Sequence, residues 1–263
     1  MHLNKANKSK FKFSYLIIII IFYNYFNTKL KKNRKKIGVI GLGHSHNIGN
    51  NLVKFAIFIK LSELGYSPYI VEIIRCKNHN ISFMSKTVNI KLIENFSEIK
   101  EDDFDILMVN SDQTWRRSNS YFYDIAFLKF AENWKIPKFI YGASSGTDNW
   151  NFSKKDEQVA KHLLSNFNGI SVREKSLVKL IENHLGFKAQ FVLDPTLLIN
   201  KNYYLNLIKD YKSNIIEQLN NDNFIFAYIL NGKHIIYLKK YITCFGVYVI
   251  NIYCSIVQLL LVI

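Results

Sequence analysis

The sequence is poor in the residues on which disulfide scaffolds and loop-rich folds depend. Its 263 residues include only three cysteines, three prolines and eleven glycines. Cys76, Cys244 and Cys254 form no CxxC pair and have no metal-ligand spacing, which excludes a disulfide framework and a cysteine-based zinc site. A sparse, odd set of cysteines is typical of a reducing compartment.

Acidic residues are missing from the N-terminal stretch. Residues 1–36 hold ten Lys and Arg and no Asp or Glu, so they supply most of the net charge of +15. The rest of the chain carries only +5, a mildly basic body that requires no polyanionic partner, and we predict no nucleic-acid binding. Because 49% of the residues are hydrophobic, the chain is able to bury a sizeable core.

The first apolar run is short for a membrane span. Tyr15 to Phe26 is an uncharged, mostly apolar run of twelve residues, whereas a helix that crosses a bilayer needs about 20. More basic residues follow the run than precede it, so insertion would leave the body in the cytoplasm. A membrane anchor and an extension without a targeting role both fit. We therefore expect a cytoplasmic protein and leave membrane contact through the termini open.

The C-terminal stretch from Tyr241 to Ile263 contains no charged residue and is long enough to span a membrane. It also carries Thr243, Asn251, Ser255 and Gln258. A tail anchor would have this composition, and so would a truncated or frame-shifted end. We favour the second interpretation, because the motifs described below stop before this stretch.

The body alternates strands with helices. Residues 36–41 and 69–74 read as buried strands, and between them apolar residues recur at helical spacing up to a stop at Gly65. Strand, helix and strand in this order predict parallel pairing. Further strands are predicted over residues 105–109, 138–142, 169–172 and 189–193, helices over 156–166, 174–184 and 203–219, and a strand that opens a second sheet over 223–230. The predicted fold is an α/β protein with a Rossmann-like parallel sheet.

Polar residues follow strand after strand. They cluster at residues 43–50, 110–117, 143–149, 173–174 and 194–196. In an open parallel sheet, the loops beyond the carboxyl ends of the strands form the ligand crevice. This distribution predicts a small-molecule site.

The first of these loops, residues 41–50, is rich in glycine. A helix that starts near Asn50 would direct free N–H groups at a phosphate or carboxylate, although Asn50 as a simple N-cap fits equally well. The dinucleotide fingerprint would need glycine where His46 stands, and the P-loop sequence is absent. His44 and His46 have no Cys or acid cluster beside them, so we predict loop histidines and no metal site.

Three later loops carry polar and charged candidates. The loop after the third predicted strand combines hydrogen-bonding groups with an aromatic face, as sugar sites do; these residues are Ser111, Asp112, Gln113 and Trp115. The alternative is a capped turn with Trp115 in the core. The Arg173 guanidinium suits either a phosphate clamp or an ion pair with a neighbouring acid. Asp194, which precedes a proline, also fits a simple turn cap.

Four motifs in this order resemble the polysaccharide pyruvyl transferase family. They are Asn47-Ile48-Gly49-Asn50 with its helix ending at Leu64-Gly65-Tyr66, Ser111-Asp112-Gln113-Thr114-Trp115, Ser171-Val172-Arg173-Glu174, and Leu193-Asp194-Pro195-Thr196. The resemblance covers residues 37–230, and Asn110 stands where the family has glycine.

The resemblance implies the first lobe of a GT-B-like, two-lobed enzyme without a cofactor. Its expected partners are phosphoenolpyruvate and a glycan acceptor, whose hydroxyls would receive a pyruvyl group during synthesis of a surface polysaccharide. The substrate-binding residues that it implies are Asn47, Gly49, Asn50, Ser111, Asp112, Gln113, Trp115, Ser144, Ser145, Arg173, Glu174 and Asp194. No catalytic residue is assigned.

The resemblance also implies that a second lobe is incomplete. Few residues follow Asn223, and the His-Gly pair of the family's second lobe is absent, so we expect no activity from this chain alone. The predicted segments are a basic and apolar extension over 1–36, the Rossmann-like lobe over 37–200, a linker helix and first second-lobe strand over 201–230, and an apolar C-terminal segment over 231–263.

Two other functions stay open at this point. One is a non-catalytic or membrane-attached remnant that binds a sugar phosphate. The other is a nucleotide-binding domain, which rests on the strand-helix-strand unit and on Glu72 at the end of its second strand.

Overall fold

A computed structural model of the chain describes residues 34–42, 48–73, 87–117, 121–208, 225–229, 252–254 and 257–262. These residues divide between two compact units, residues 1–199 and residues 200–263. The first unit contains a parallel sheet with its helices, and the second contains a helix and a small antiparallel sheet. Each unit is described by itself.

The first unit is built on a parallel sheet of seven strands. They are β1 (Lys36–Ile40), β2 (Ser67–Ile73), β3 (Ile90–Ile93), β4 (Ile106–Val109), β5 (Lys138–Ala143), β6 (Gly169–Val172) and β7 (Gln190–Phe191). Their order is β3-β2-β1-β4-β5-β6-β7, and each neighbouring pair is parallel. The order reverses between β1 and β4, which is where doubly wound folds bind their ligands. The predicted α/β, Rossmann-like sheet is confirmed.

Among the residues that the structure describes, four α-helices connect these strands. They are α1 (Ile48–Glu63), α2 (Phe122–Phe127), α3 (Lys154–Leu164) and α4 (Lys175–Leu185). The helix α3 begins where the Ser153 side chain accepts a hydrogen bond from the Asp156 amide, a capping box. The helix α4 ends at Gly186, whose φ of 77° is in the left-handed region that glycine adopts without strain. Single 3₁₀ turns cover Phe96–Glu98, Glu101–Asp103, Lys129–Ala131 and Pro195–Leu197.

The core lies between the sheet and its helices. All four residues of β4 are buried, as expected for a parallel strand covered on both faces. Leu107 and Val172 belong to the same buried cluster as Phe127 of α2 and Ile181 of α4. Burial of these apolar faces holds the carboxyl ends of the central strands in fixed positions, and the candidate site is built at those ends.

The structure differs from the predicted elements in several places. Strand β3 and helix α2 were not predicted, because Lys91 interrupts the apolar residues of β3 and a helix of six residues is too short for a periodic signal. The helix α3 begins two residues before the predicted start, because Ser153 caps it. Strand β7 has only two residues, whereas five were predicted over 189–193. Ile74, predicted in the second strand, lies outside the described residues.

The second unit contains helix α5 (Lys201–Ile208) and strands β8 (Ile225–Ile229), β9 (Ile252–Cys254) and β10 (Val257–Val262). The strands form an antiparallel sheet in the order β8-β10-β9. Strand β8 was predicted within 223–230, and its partner β10 comes from the segment predicted as an apolar C-terminal stretch. The remainder of the helix predicted over 203–219 lies outside the described residues. The segment boundaries and the two-lobed architecture stay predictions.

Within the described ranges, no helix has both the length and the apolar character needed to cross a membrane.

Candidate functional site

The loops that follow β4, β5 and β6 meet at the carboxyl edge of the sheet. Asp112 and Ala143 form an isolated parallel bridge. The Ser144 amide donates to the Asp112 carbonyl at 2.9 Å, and the Trp115 amide donates to the Ser144 carbonyl at 3.0 Å. The Arg173 amide donates to the Ala143 carbonyl at 3.2 Å. Backbone hydrogen bonds therefore bring the second and third motifs together.

Two serine hydroxyls form hydrogen bonds between neighbouring strands below these loops. The Ser111 hydroxyl donates to the Gly142 carbonyl at 2.8 Å and lies 3.4 Å from a carboxylate oxygen of Asp194. The Ser171 hydroxyl donates to the Ile140 carbonyl at 2.9 Å and accepts from the Gly142 amide at 3.2 Å. Gly142 has a φ of 63°, and a β-carbon there would lie 3.1 Å from the Ser111 hydroxyl oxygen. Glycine is therefore required at this crossing of three strand ends.

Arg173 lies among three carboxylates, and we call these four residues the Arg173 cluster. Its Nη1 lies 2.8 Å from Asp194, its Nε lies 3.4 Å from Glu174, and its Nη2 lies 3.6 Å from Asp112. One positive and three negative groups leave the cluster with a formal charge of about −2 when all four are ionised. Of the two interpretations of Arg173, the structure favours the ion pair over the phosphate clamp.

Asp194 is the most strongly held carboxylate of the cluster. The Thr196 amide and hydroxyl donate to its Oδ1 at 3.0 and 2.7 Å, while Arg173 contacts its Oδ2. Burial raises the pKa of Asp194, but the hydrogen bonds from Thr196 and the contact with Arg173 outweigh burial and hold that pKa below its ordinary value. Asp194 therefore carries its charge at neutral pH. It also caps the turn Pro195–Leu197, as the sequence suggested.

Asp112 has a strained backbone. Its φ of 115° is in a region that residues with a β-carbon rarely adopt, and such an outlier costs about 1–3 kcal/mol. The bridge to Ala143 holds this conformation, and the Asp112 carboxylate accepts a hydrogen bond from the Gln113 amide at 2.8 Å. Strain of this kind concentrates at functional sites, so Asp112 is a strong candidate for a functional role.

Three further candidates lie in the loops after β4 and β5: Gln113, Ser144 and Ser145. Gly146 has a φ of 69°, and a β-carbon there would lie 2.8 Å from the Gln113 side chain. The Ser144 hydroxyl accepts a hydrogen bond from the Gly146 amide at 3.0 Å. The Ser145 hydroxyl donates to the Thr147 carbonyl at 2.7 Å. The loops after β4 and β5 therefore fit closely against each other.

Trp115 belongs to the core. It is only 1% exposed, and its ring lies 5.2 Å from that of Phe127 and 6.2 Å from that of Phe152. The alternative of a capped turn with a buried tryptophan is therefore the one present in the structure. Stacking of an acceptor sugar on an open face of this ring is not supported, because neighbouring aromatic rings pack against it.

The first loop is described only in part. Asn47, His44 and His46 lie outside the described residues. Gly49 is exposed, whereas Asn50 is buried inside the first turn of α1, and its side-chain Nδ2 donates to the Leu42 carbonyl at 3.5 Å. The N-cap interpretation of Asn50 is wrong, because the helix already begins at Ile48.

A buried ion pair that was not predicted from the sequence lies beside the site. Lys54 of α1 is 1% exposed, Glu72 of β2 is 2% exposed, and the lysine donates to the carboxylate. Burial lowers the pKa of Lys54, while the charges of Glu72 and Asp112 oppose that shift. A lysine within the apolar face of α1 was the available signal. Because Glu72 is buried against Lys54, it cannot hold ribose hydroxyls as the nucleotide-binding interpretation requires.

Asn110 stands where the family has glycine, and no role was predicted for it. It is 1% exposed at the end of β4, and its side-chain oxygen has no hydrogen-bond partner among the described residues. A β-carbon at Gly41 would lie 3.4 Å from the Asn110 β-carbon, so these residues face each other across the reversal point between β1 and β4. In the described part of the chain, no three acids, histidines or cysteines come together as metal ligands would.

Comparison with known proteins identifies the same family as the four motifs. The family model for polysaccharide pyruvyl transferase matches residues 6–257, a range that extends beyond 37–230 at both ends. A search of the curated proteins found no match. Because the family model covers nearly the whole chain, this protein belongs to the polysaccharide pyruvyl transferase family.

Proposed function

We propose that this chain transfers a pyruvyl group from phosphoenolpyruvate to the hydroxyls of a sugar in a surface polysaccharide. In that reaction one hydroxyl adds to the enol carbon while the neighbouring carbon gains a proton. A second hydroxyl of the same sugar then displaces phosphate, so that one cyclic ketal forms and one inorganic phosphate leaves. The site must accept the hydroxyl protons, donate a proton to carbon and hold two anionic groups.

The Arg173 cluster is the observation that carries this proposal. Three carboxylates at one edge of the sheet, with a strained Asp112 among them, provide acceptors for the hydroxyls of a sugar. Their excess negative charge favours a neutral acceptor over an anion. We therefore assign the acceptor sugar to this cluster.

Asp112 is our candidate for the group that receives the hydroxyl proton. Asp194 already accepts hydrogen bonds at both oxygens, from Thr196 and Arg173, which makes it a poor base. Asp112 lies at the bridge between the loops after β4 and β5, where a bound sugar would meet residues of both. The group that protonates the neighbouring methylene carbon is not assigned.

The test is release of phosphate from phosphoenolpyruvate by the purified full chain, with a panel of sugar acceptors. The resemblance led us to expect no activity from this chain alone, but the family match extends to residue 257, beyond the four motifs. We therefore expect acceptor-dependent release, a ketal product detectable by mass spectrometry, and loss of release in Asp112→Asn. The matched control is Asp102→Asn, the same chemical change at an exposed position before β4. Release that persists unchanged in Asp112→Asn would contradict the assignment of Asp112.

The non-catalytic alternative predicts a different result. A chain that only binds would release no phosphate with any acceptor. An unmodified acceptor sugar would nevertheless shift the amide signals of Asp112 and Arg173 in NMR spectra, and Asp112→Asn would remove those shifts. Absence of both release and shifts would refute any sugar site at the Arg173 cluster.

A further inference from the structure

A groove lies between the loop after β4 and the loop after β5, and it encloses a cavity of about 250 Å³. Its lining combines polar side chains with aromatic rings, and the members that a sugar would meet are Trp115, Ser145, Thr147, Asn149, Trp150 and Asn151. We propose that this groove binds a second, uncharged sugar of the acceptor glycan, next to the sugar assigned to the Arg173 cluster. As part of an acceptor site the groove rests on the proposed function, whereas its affinity for a disaccharide requires no turnover.

The two arginines that line the groove are engaged within the protein. Arg117 lies 3.2 Å from the buried carboxylate of Asp156, and Arg116 donates to the side-chain oxygen of Gln113 at 3.1 Å. Drawing Arg117 away from Asp156 would leave a buried charge without its partner, which is costly. Among the described residues, no acid lines the groove. An anion would have to compete with these contacts, whereas a neutral ligand leaves them in place.

Other polar groups of the groove suit the hydroxyls of a sugar. The Trp115 indole nitrogen is buried and has no hydrogen-bond acceptor among the described residues. A buried donor without a partner is costly, and a sugar hydroxyl oxygen would supply the acceptor. Asn149 and Asn151 are exposed, and a side-chain amide both donates and accepts hydrogen bonds, as a hydroxyl does. The groove therefore offers hydrogen-bonding groups that match a polyhydroxylated, uncharged ring.

The wall formed by the loop after β5 is held in shape without a ligand. The Trp150 indole nitrogen donates to Glu157 of α3 at 2.9 Å, and the Trp150 ring stacks on His184 of α4 with the ring centres 4.6 Å apart. The Ser145 hydroxyl donates to the Thr147 carbonyl at 2.7 Å. These contacts fix the loop at both ends of the groove. A wall that is ordered in advance binds a ligand at a smaller entropic cost.

The groove adjoins the Arg173 cluster through short stretches of chain. Trp115 follows Asp112 of the cluster by three positions on the same loop. On the facing loop, the Ser144 amide donates to the Asp112 carbonyl at 2.9 Å, and the next residue, Ser145, lines the groove. Consecutive Cα atoms are about 3.8 Å apart, so the cluster and the groove are close enough for two linked sugars. The cavity is smaller than the roughly 300–1,000 Å³ of drug-sized pockets, which suits one sugar ring.

The tryptophans provide the measurement. The chain has three tryptophans, Trp115, Trp134 and Trp150, and only the first and third line the groove. Titration of the full chain with lactose or maltose should shift the indole N–H signals of Trp115 and Trp150 in NMR spectra and leave that of Trp134 in place. The matched monosaccharides, methyl β-galactoside and methyl α-glucoside, should leave the Trp115 signal in place. At least one disaccharide should bind about fivefold more tightly than its monosaccharide, because it gains further hydrogen bonds.

Two pairs of variants test the assignment by calorimetry. Trp115→Phe keeps an aromatic ring and removes the indole N–H, so it should weaken disaccharide binding about fivefold, while Trp134→Phe makes the same change outside the groove and should have no effect. Asn149→Ala should also weaken disaccharide binding, and its control is Asn133→Ala at an exposed position before β5. Neither groove variant should alter monosaccharide binding. Unchanged melting temperatures establish that a variant is folded, and Asn149→Ala remains informative if Trp115→Phe does not fold.

Several outcomes would overturn the proposal. They are equal affinities of both disaccharides and their monosaccharides, unshifted Trp115 and Trp150 signals at saturation, and wild-type binding by the folded groove variants. Inorganic phosphate that shifts the same two signals more strongly than either disaccharide would also overturn it, since the groove would then bind anions. Disaccharide binding without release of phosphate from phosphoenolpyruvate would refute the proposed function and leave this site intact. Release without any shift of the two indole signals would refute this site and leave the proposed function intact.

Discussion

The buried pair of Lys54 and Glu72 allows a prediction of how its removal changes the free energy of unfolding. Both side chains are almost wholly inaccessible, and the second carboxylate oxygen of Glu72 has no hydrogen-bond partner among the described residues. Replacing Lys54→Met keeps most of the apolar stem and removes the cation, so that a carboxylate is left buried without its partner. The double variant Lys54→Met with Glu72→Leu removes both charges at similar volume.

The two variants should differ sharply. Breaking a buried pair by removing one partner costs about 3–5 kcal/mol, whereas replacing both partners by apolar residues is neutral or stabilising by about 1–4 kcal/mol. A loss of about 3–5 kcal/mol is a large part of a total stability of about 5–15 kcal/mol. At about 2–4 °C per kcal/mol, the single variant should melt roughly 6–20 °C below the wild type.

Urea unfolding followed by far-UV circular dichroism measures this difference. The control is Lys60→Met on the same helix, which removes an exposed pair with Glu63 at 2.9 Å and should cost less than about 1 kcal/mol. A single variant that loses less than about 1 kcal/mol would refute the reasoning, and so would a double variant as unstable as the single one. Either result would mean that Lys54 and Glu72 do not form the buried ion pair that the structure shows.

Two other predictions concern the Arg173 cluster. The variant Asp112→Gly should be more stable than Asp112→Ala by about 1–2 kcal/mol, the reverse of the usual order, because only glycine adopts a φ of 115° without strain. Thermal unfolding of the two variants measures this difference, and equal stabilities would contradict backbone strain at Asp112. Because Thr196 and Arg173 outweigh burial and hold the pKa of Asp194 below its unfolded value, its contribution to stability is fully present above about pH 4 and is lost as the pH falls through the folded pKa. The stability gap between wild type and Asp194→Asn should therefore shrink between neutral pH and about pH 3 in urea titrations, and a constant gap would speak against the shift.

Much of the fold could be predicted from local patterns. Strand β4 is a run of four apolar residues and β6 begins at a glycine, so both were predicted nearly in place. Gly186 marks the end of α4, because a left-handed residue stops a helix. Strand β3 could not be predicted, since its four residues alternate too briefly and only pairing with β2 makes them a strand.

The candidate site could be predicted only as a set of residues. The sequence placed Ser111, Arg173 and Asp194 after three different strands, and the structure brings all three together. It did not indicate that Arg173 would contact three carboxylates. It also did not indicate the small groove between the loops after β4 and β5, because that groove exists only where the two loops face each other.

By itself, the sequence determined the type and order of most elements of the first unit and the polar character of the loops after them. These properties depend on residues close together along the chain, through hydrophobic period, caps and turns. The tertiary structure alone decided the strand order, the burial of Trp115 and the partners of each charged group. Ser111 and Asp194 are 83 positions apart, and only packing of the parallel strands brings them within 3.4 Å. The physical reason is that local signals select elements, whereas burial of apolar faces selects which loops become neighbours.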